Sequence, residues 1–292
     1  MRDTHPVVSP DGTWLVFASS RDRTSDGTSL WIAQLGPDAT AVRLTTGSAI
    51  DSHPCWTRDG KAIVFASTRD GGDFDLYRLA IDDGRPVGAP VALTHGAGHE
   101  VTPTVAADGT IVYGAVTPLG DGRVESHLEE RAPDGTIRRL TAGPADTAPA
   151  LSPDDRALAF ARPKEHNGSL DAELFTMPRN SDVATQLIDV PLTDETGPVW
   201  SPDGRFLFAT SLLRGAAGNT VFSSVIVIDT QVRPLTARLL EDRTGPIARL
   251  TPAITRARLD ATALASDPEY LPELARIVAN AMAAQKKAPS SP

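Results

Sequence analysis

Apolar residues along this chain fall into short β-branched and aromatic runs separated by polar turns, and the runs recur. TWLVFAS (13–19), KAIVFAS (61–67), TIVYGAV (110–116), ALAFAR (157–162) and RFLFATS (205–211) each follow an acidic turn. The turns are Asp11-Gly12, Asp59-Gly60, Asp108-Gly109, Asp154-Asp155 and Asp203-Gly204. Asp-Gly between apolar runs is a hairpin signal, because glycine accepts the positive φ that a tight turn needs. The partial period-two alternation inside the runs is that of half-buried strands. A proline opens each unit, at Pro6, Pro54, Pro103, Pro149 and Pro198, in steps of 48, 49, 46 and 49 residues. A third strand follows as SLWIAQL, DLYRLAI, SHLEER, ELFTM and SSVIVI. A fourth closes each unit as VRLT, VALT, IRRLT, VPLT and ARLL, with Leu44, Leu93, Leu140, Leu192 and Leu239 as its apolar anchors.

Four short strands repeated at this interval predict β-propeller blades, an all-β fold. One blade cannot bury both faces of its sheet, and stacking blades buries them against each other. No 3.6-residue periodicity precedes about residue 260, which excludes helical repeats.

The string D-x-x-P-x-W-S-P-D-G-x-x-I-x-F-x-S-x-R, nearly complete from Asp51 to Arg69, resembles the Pro-Asp-containing, WD-like repeat of TolB-type propellers. GPVWSPDGRFLFATS and the closing RLT belong to the same pattern. The resemblance covers about residues 1–250, with five motifs in register. Units three and four depart from it with AADG and SPDD, and only units one and two keep an arginine after the second strand, Arg21 and Arg69. The family usually has six blades, whereas five units are complete here. Pro246 opens a degenerate sixth, where DRTGPIARL echoes DETGPVW but no Asp-Gly turn follows. Either five blades close with an added strand, or a six-blade ring is incomplete in this chain.

The expected organisation is a propeller over residues 1–257 and a helical tail over 258–292. Leu271, Leu274, Ile277, Val278, Ala281 and Met282 share one face of that helix. Pro272 suits its first turn and Lys286-Lys287 its C-terminal end.

Charge and composition narrow the function classes. The 28 basic and 37 acidic residues leave a net charge of −9, with no Lys/Arg run, which argues against nucleic acid or an anionic membrane as partner. The longest aliphatic run, Val225 to Val227 with Ile228, is far too short to span a bilayer. MRDTHPVV lacks a signal-peptide pattern. The single cysteine, Cys55, is expected in a core.

Every unit carries an acid three residues before its proline: Asp3, Asp51, Glu100, Asp146 and Glu195. Propeller geometry is expected to gather them at one mouth of the central channel. Converging carboxylates repel, so distance, water, backbone donors or a cation must relieve them. Two readings stay open. Each acid accepts local hydrogen bonds that fix the start of its blade, or the set binds a cation or a basic group of a partner. His5, His53 and His99, with His95 nearby, add imidazoles to this end. His with Asp or Glu is metal-ligand chemistry, though no close His spacing is present. RDRTSDG (21–27) and RDGGDFD (69–75) faintly resemble calcium loops but lack the closing Glu, and read as solvated hairpin loops. No G-x-S-x-G, P-loop or Rossmann fingerprint occurs. Trp14, Trp31, Trp56, Trp200, Tyr77 and Tyr113 lie on predicted strands, as packing residues.

The resemblance to TolB implies a non-catalytic scaffold in the periplasm or cell envelope. It would bind a protein or peptide at the acidic mouth, with no cofactor and no membrane insertion. Two alternatives come with the same resemblance. One is a metal-dependent saccharide lyase or hydrolase similar to oligogalacturonate lyases, with a divalent cation held by His5, His53 and His99. The other is the accessory propeller of a prolyl-oligopeptidase-like peptidase.

Overall fold

The computed structural model describes residues 2–239, except 22–26, 38, 121–122, 144, 167–168, 190–192, 215–219, 232–234 and 236. The expected sixth unit from Pro246 and the helical tail over 258–292 lie outside the described residues. Among the described residues, all regular structure is strand.

Five four-stranded antiparallel sheets follow one another along the chain, an all-β fold of propeller blades. The first holds β1 (Asp3–Val8), β2 (Trp14–Ser19), β3 (Ser29–Gln34) and β4 (Ala41–Arg43). The second holds β5 (Asp51–Trp56), β6 (Ala62–Ser67), β7 (Asp75–Asp82) and β8 (Arg85–Ala92). The third holds β9 (His99–Val105), β10 (Ile111–Leu119), β11 (Arg123–Arg131) and β12 (Ile137–Arg139). The fourth holds β13 (Thr147–Leu151), β14 (Ala157–His166), β15 (Ser169–Pro178) and β16 (Thr185–Gln186). The fifth holds β17 (Thr193–Trp200), β18 (Phe206–Arg214), β19 (Thr220–Asp229) and β20 (Ala237–Leu239). In every sheet the strands lie in chain order, the pattern of a meander. By compactness the chain divides into residues 1–151 and 152–292.

Within residues 1–151, alternation along β6 explains why KAIVFAS reads as an almost continuous apolar run. Ile63 and Phe65 pack with Val16, Ala18, Leu30 and Ile32 of blade one. Val64 and Ala66 point the other way, onto Val105, Ile111 and Tyr113 of blade three. A strand buried on both faces needs apolar residues at every position. Within residues 152–292, Ala159, Leu174 and Ile188 of blade four pack with Leu207, Ala209, Ile226 and Ile228 of blade five.

The Ser-Pro-Asp-Gly turns are held by side chains as well as by backbone. Ser9 Oγ donates to Asp11, while Asp11 Oδ1 accepts from the Thr13 N–H at 3.0 Å and Ser9 Oγ accepts from the Trp14 N–H at 2.8 Å. The same bonds recur at Thr57 and Asp59, Ser152 and Asp154, and Ser201 and Asp203. Gly12, Gly60, Gly109 and Gly204 have φ between 68° and 84°, and Asp155 takes their place in the fourth unit at 58°. Aspartate tolerates that region better than most side chains.

The fourth strand of blade four is Thr185–Gln186, paired with β15 at Phe175 and Thr176. Of VPLT, the strand expected there, residues 190–192 lie outside the described residues and Thr193 opens β17. Asp3 and Asp51 open their innermost strands, Glu100 and Glu195 stand inside theirs, and Asp146 immediately precedes its own.

Candidate functional site

The residue before each unit's proline is left-handed in all five units: His5 at φ 52°, His53 at 47°, Thr102 at 52°, Ala148 at 52° and Gly197 at 61°. The pairing register slips at this point, between Thr4 and Val7, Ser52 and Cys55, and Thr196 and Val199. This is a β-bulge, and it re-aims the strand end that carries the acid. Four of the five acids then face the same position of the second strand: Asp3 faces Ser19, Asp51 faces Ser67, Glu100 faces Ala115 and Glu195 faces Ser211.

Blades one and two close a clamp on that geometry. Asp51 is fully buried, and its Oδ1 accepts from Ser67 Oγ at 2.6 Å and from an Arg69 guanidinium N–H at 2.8 Å. The guanidinium lies over Phe65 and Tyr77, 5.2 and 4.8 Å from their ring centres. Asp51 Oδ2 has no partner among the described residues. Asp3 makes the same pairing with Arg21 at 2.9 Å, but with 42% of its side chain exposed. The Arg21 guanidinium lies 4.9 Å from both Phe17 and Trp31. Hydrogen bonding to Ser19, followed by Arg21, holds the Asp3 carboxyl below its ordinary range.

Asp146 is fully buried, and its oxygens lie 2.5 Å from where a Cβ on Gly143 would stand. Only glycine permits that approach. Glu195 is also fully buried, with Oε1 accepting from Thr193 Oγ1 at 2.7 Å and Ser211 Oγ at 2.8 Å. Leu213 takes the arginine's place two residues beyond Ser211, and burial pushes the Glu195 carboxyl up to about 7.

The histidines separate. The rings of His5 and His53 meet at a 42° tilt with centroids 3.9 Å apart, and burial, then the charge of His5, hold His53 down to about 4. His99 Nδ1 accepts from the Phe74 N–H at 3.2 Å, and its ring meets the Phe74 edge. Among the described residues no group of three or more His, Cys, Asp or Glu is placed to hold a metal ion. Cys55 packs beside the Val64 cluster, and burial pushes its thiol up to about 11.

Blade three differs from blades one and two. Ala115 stands where Ser19 and Ser67 stand, and Thr117 where Arg21 and Arg69 stand. Tyr113 takes the place of Phe17 and Phe65, and the residue across from it is Glu129 instead of Trp31 or Tyr77. A cavity of about 290 Å³ opens here, lined by Glu100, Tyr113, Thr117, His127 and Glu129, with His95 and His99 at its loop side. Glu129 accepts from the Tyr113 hydroxyl at 2.8 Å and bonds His127 Nε2 at 2.9 Å. Burial, then Asp75, with Glu129 a smaller contributor, push the Glu100 carboxyl up to about 7 against the pull of the Thr94 hydroxyl. Of the residues expected at the acidic mouth, Glu100, His95 and His99 line this cavity. Tyr113, His127 and Glu129 were not expected there. The available signal was a missing arginine after the second strand, which unit three shares with units four and five.

The sequence pattern of the TolB beta propeller domain family matches residues 2–172. A protein of Agrobacterium fabrum strain C58, the uncharacterized Atu1656, is 30% identical over 145 residues, 45% of each chain. The match therefore spans less than half the length of that relative. TolB from Acinetobacter baumannii is similar in structure with a TM-score of 0.63 at 18% identity, over 82% of this chain and 55% of that one. An oligogalacturonate lyase in complex with manganese is similar with a TM-score of 0.56 at 16% identity, over 81% and 65%. These structural likenesses show the fold.

Proposed function

The chain belongs to the TolB β-propeller domain family, and from that premise we propose that it is a non-catalytic propeller binding a protein or peptide in the cell envelope. The contact site is the blade-three cavity beside Glu100. One observation carries this reading. Asp3 and Asp51 are engaged by the chain's own arginines, and Asp146 and Glu195 are fully buried, whereas Glu100, though only 8% exposed and bonded by the Thr94 hydroxyl, lines a cavity and has Ala115 instead of a serine opposite it and no arginine two residues beyond. Of the five acids expected to meet a ligand, Glu100 takes that role, and the other four hold their blades together. The saccharide-lyase alternative draws on fold likeness at 16% identity and has no residue-level support of that kind.

A photo-reactive residue at position 117, and a control at exposed position 182 in the turn that joins β15 to β16, test the reading in extracts of the source organism. A specific protein is expected to cross-link from 117 and not from 182. Equal capture at both positions, or capture at neither, overturns it.

A further inference from the structure

The open place in blade three has a template inside the same chain. In blades one and two, an arginine reaches back from two residues beyond the serine that faces the acid. It donates to the acid and lies over the aromatic ring two residues before that serine. In blade five the equivalent place is occupied by buried Leu213. In blade three the position belongs to Thr117, which is exposed and too short to fill the space. The acid and the ring are kept, as Glu100 and Tyr113, and a second carboxylate, Glu129, replaces the other ring of the sandwich. Glu129 is held by Tyr113 and His127, and His127 Nδ1 is buried with no partner among the described residues. Blade three therefore keeps an arginine's acid and aromatic partner without the arginine.

We propose that this cavity is a receptor for a guanidinium group, an arginine side chain of the bound protein or peptide, which takes the position that Arg21 and Arg69 take in blades one and two. The planar fork of guanidinium suits a carboxylate on each side and an aromatic face beneath. A lysine ammonium supplies the charge without the fork or the stacking. This inference rests on the reading of the chain as a protein- or peptide-binding propeller, and it names the chemistry of that site.

The full chain is titrated with N-acetyl-arginine amide, N-acetyl-lysine amide and the uncharged N-acetyl-citrulline amide, by calorimetry and by the ring resonances of Tyr113 and His127. Saturable binding of the arginine compound is expected, with lysine weaker by roughly tenfold and citrulline undetected. Glu100→Gln and Glu129→Gln are each expected to weaken arginine binding by roughly tenfold. Thr117→Arg restores the residue of blades one and two, and it is expected to abolish binding and raise the melting temperature. If that variant fails to fold, the citrulline compound and Glu129→Gln still decide. Absence of saturable arginine binding, equal binding of citrulline, or full affinity in folded Thr117→Arg overturns the inference. A partner cross-linked from position 117 without arginine binding overturns this inference and leaves the broader reading standing. Arginine binding without any cross-linked protein supports the receptor and overturns the broader reading.

Discussion

Asp3 and Asp51 occupy one repeat position and hold the same partner, yet the partner's removal has unequal consequences. Arg69 is the only described cation on a carboxylate with 1% of its side chain exposed. Removing it strands a buried charge, and Arg69→Ala is expected to destabilise by about 3 kcal/mol or more. Arg21 faces a carboxylate that water reaches, so Arg21→Ala is expected to cost less than about 1 kcal/mol. Urea midpoints of the two variants check the contrast, and equal shifts would show that burial does not govern the clamp. Glu195 makes a different prediction. Its carboxyl is raised from 4.5 when unfolded to about 7 when folded. Between those values the unfolded chain has released a proton that the folded chain keeps, so stability falls as pH rises from about 4.5 to about 7. The shift corresponds to a loss of about 3 kcal/mol in order of magnitude. Glu195→Gln removes this dependence, and its stability relative to the parent chain should rise between about pH 4.5 and about pH 7 and then level off. Parallel melting curves across that range would refute the assignment.

At the scale of the strand, the repeated left-handed residue is the feature that local sequence rules hid. A residue before proline is steered away from helical φ/ψ toward extended backbone. His5, His53, Thr102 and Ala148 nevertheless adopt positive φ, because the bulge turns the acid onto the second strand. Only the fifth unit uses glycine there. Ala148→Gly removes a left-handed penalty of about 1–2 kcal/mol and adds an unfolded-state entropy of about 0.5–1 kcal/mol. A modest rise in thermal midpoint is expected, and a fall would mean that the backbone at 148 is not strained. By contrast, the second strands and their Asp-Gly turns were legible, since burial on both faces leaves a nearly continuous apolar run and positive φ favours glycine. The blade-three site was half legible. Glu100 and His99 announced themselves through the repeat, while Tyr113, His127 and Glu129 sit in mid-strand, where packing and function call for overlapping residue types. Their meaning comes from cross-strand register, Tyr113 against Glu129, which no single-strand pattern records.

For the molecule as a whole, the repeat made the fold readable because the same four-strand pattern recurs five times among the described residues, whereas the site lies where the pattern breaks. The chain's charge of −9 then bears on how a cationic partner arrives. The turn acids Asp11, Asp154 and Asp203 are held below their ordinary carboxyl values by serine hydroxyls and then by backbone N–H groups, so they stay ionised across the neutral range. They therefore contribute to a long-range field that attracts an arginine-bearing ligand before any contact forms. Such steering raises the association rate and is screened by salt, with a Debye length of about 10 Å at 0.1 M. The contact inside the cavity is shorter than that length and partly desolvated, so it is screened much less. Stopped-flow binding of an arginine peptide is therefore expected to slow by roughly tenfold between about 10 mM and about 500 mM salt, with a much smaller change in dissociation rate. Salt that accelerated dissociation as strongly as it slowed association would place the bound cation at the solvent-exposed rim instead of between Glu100 and Glu129.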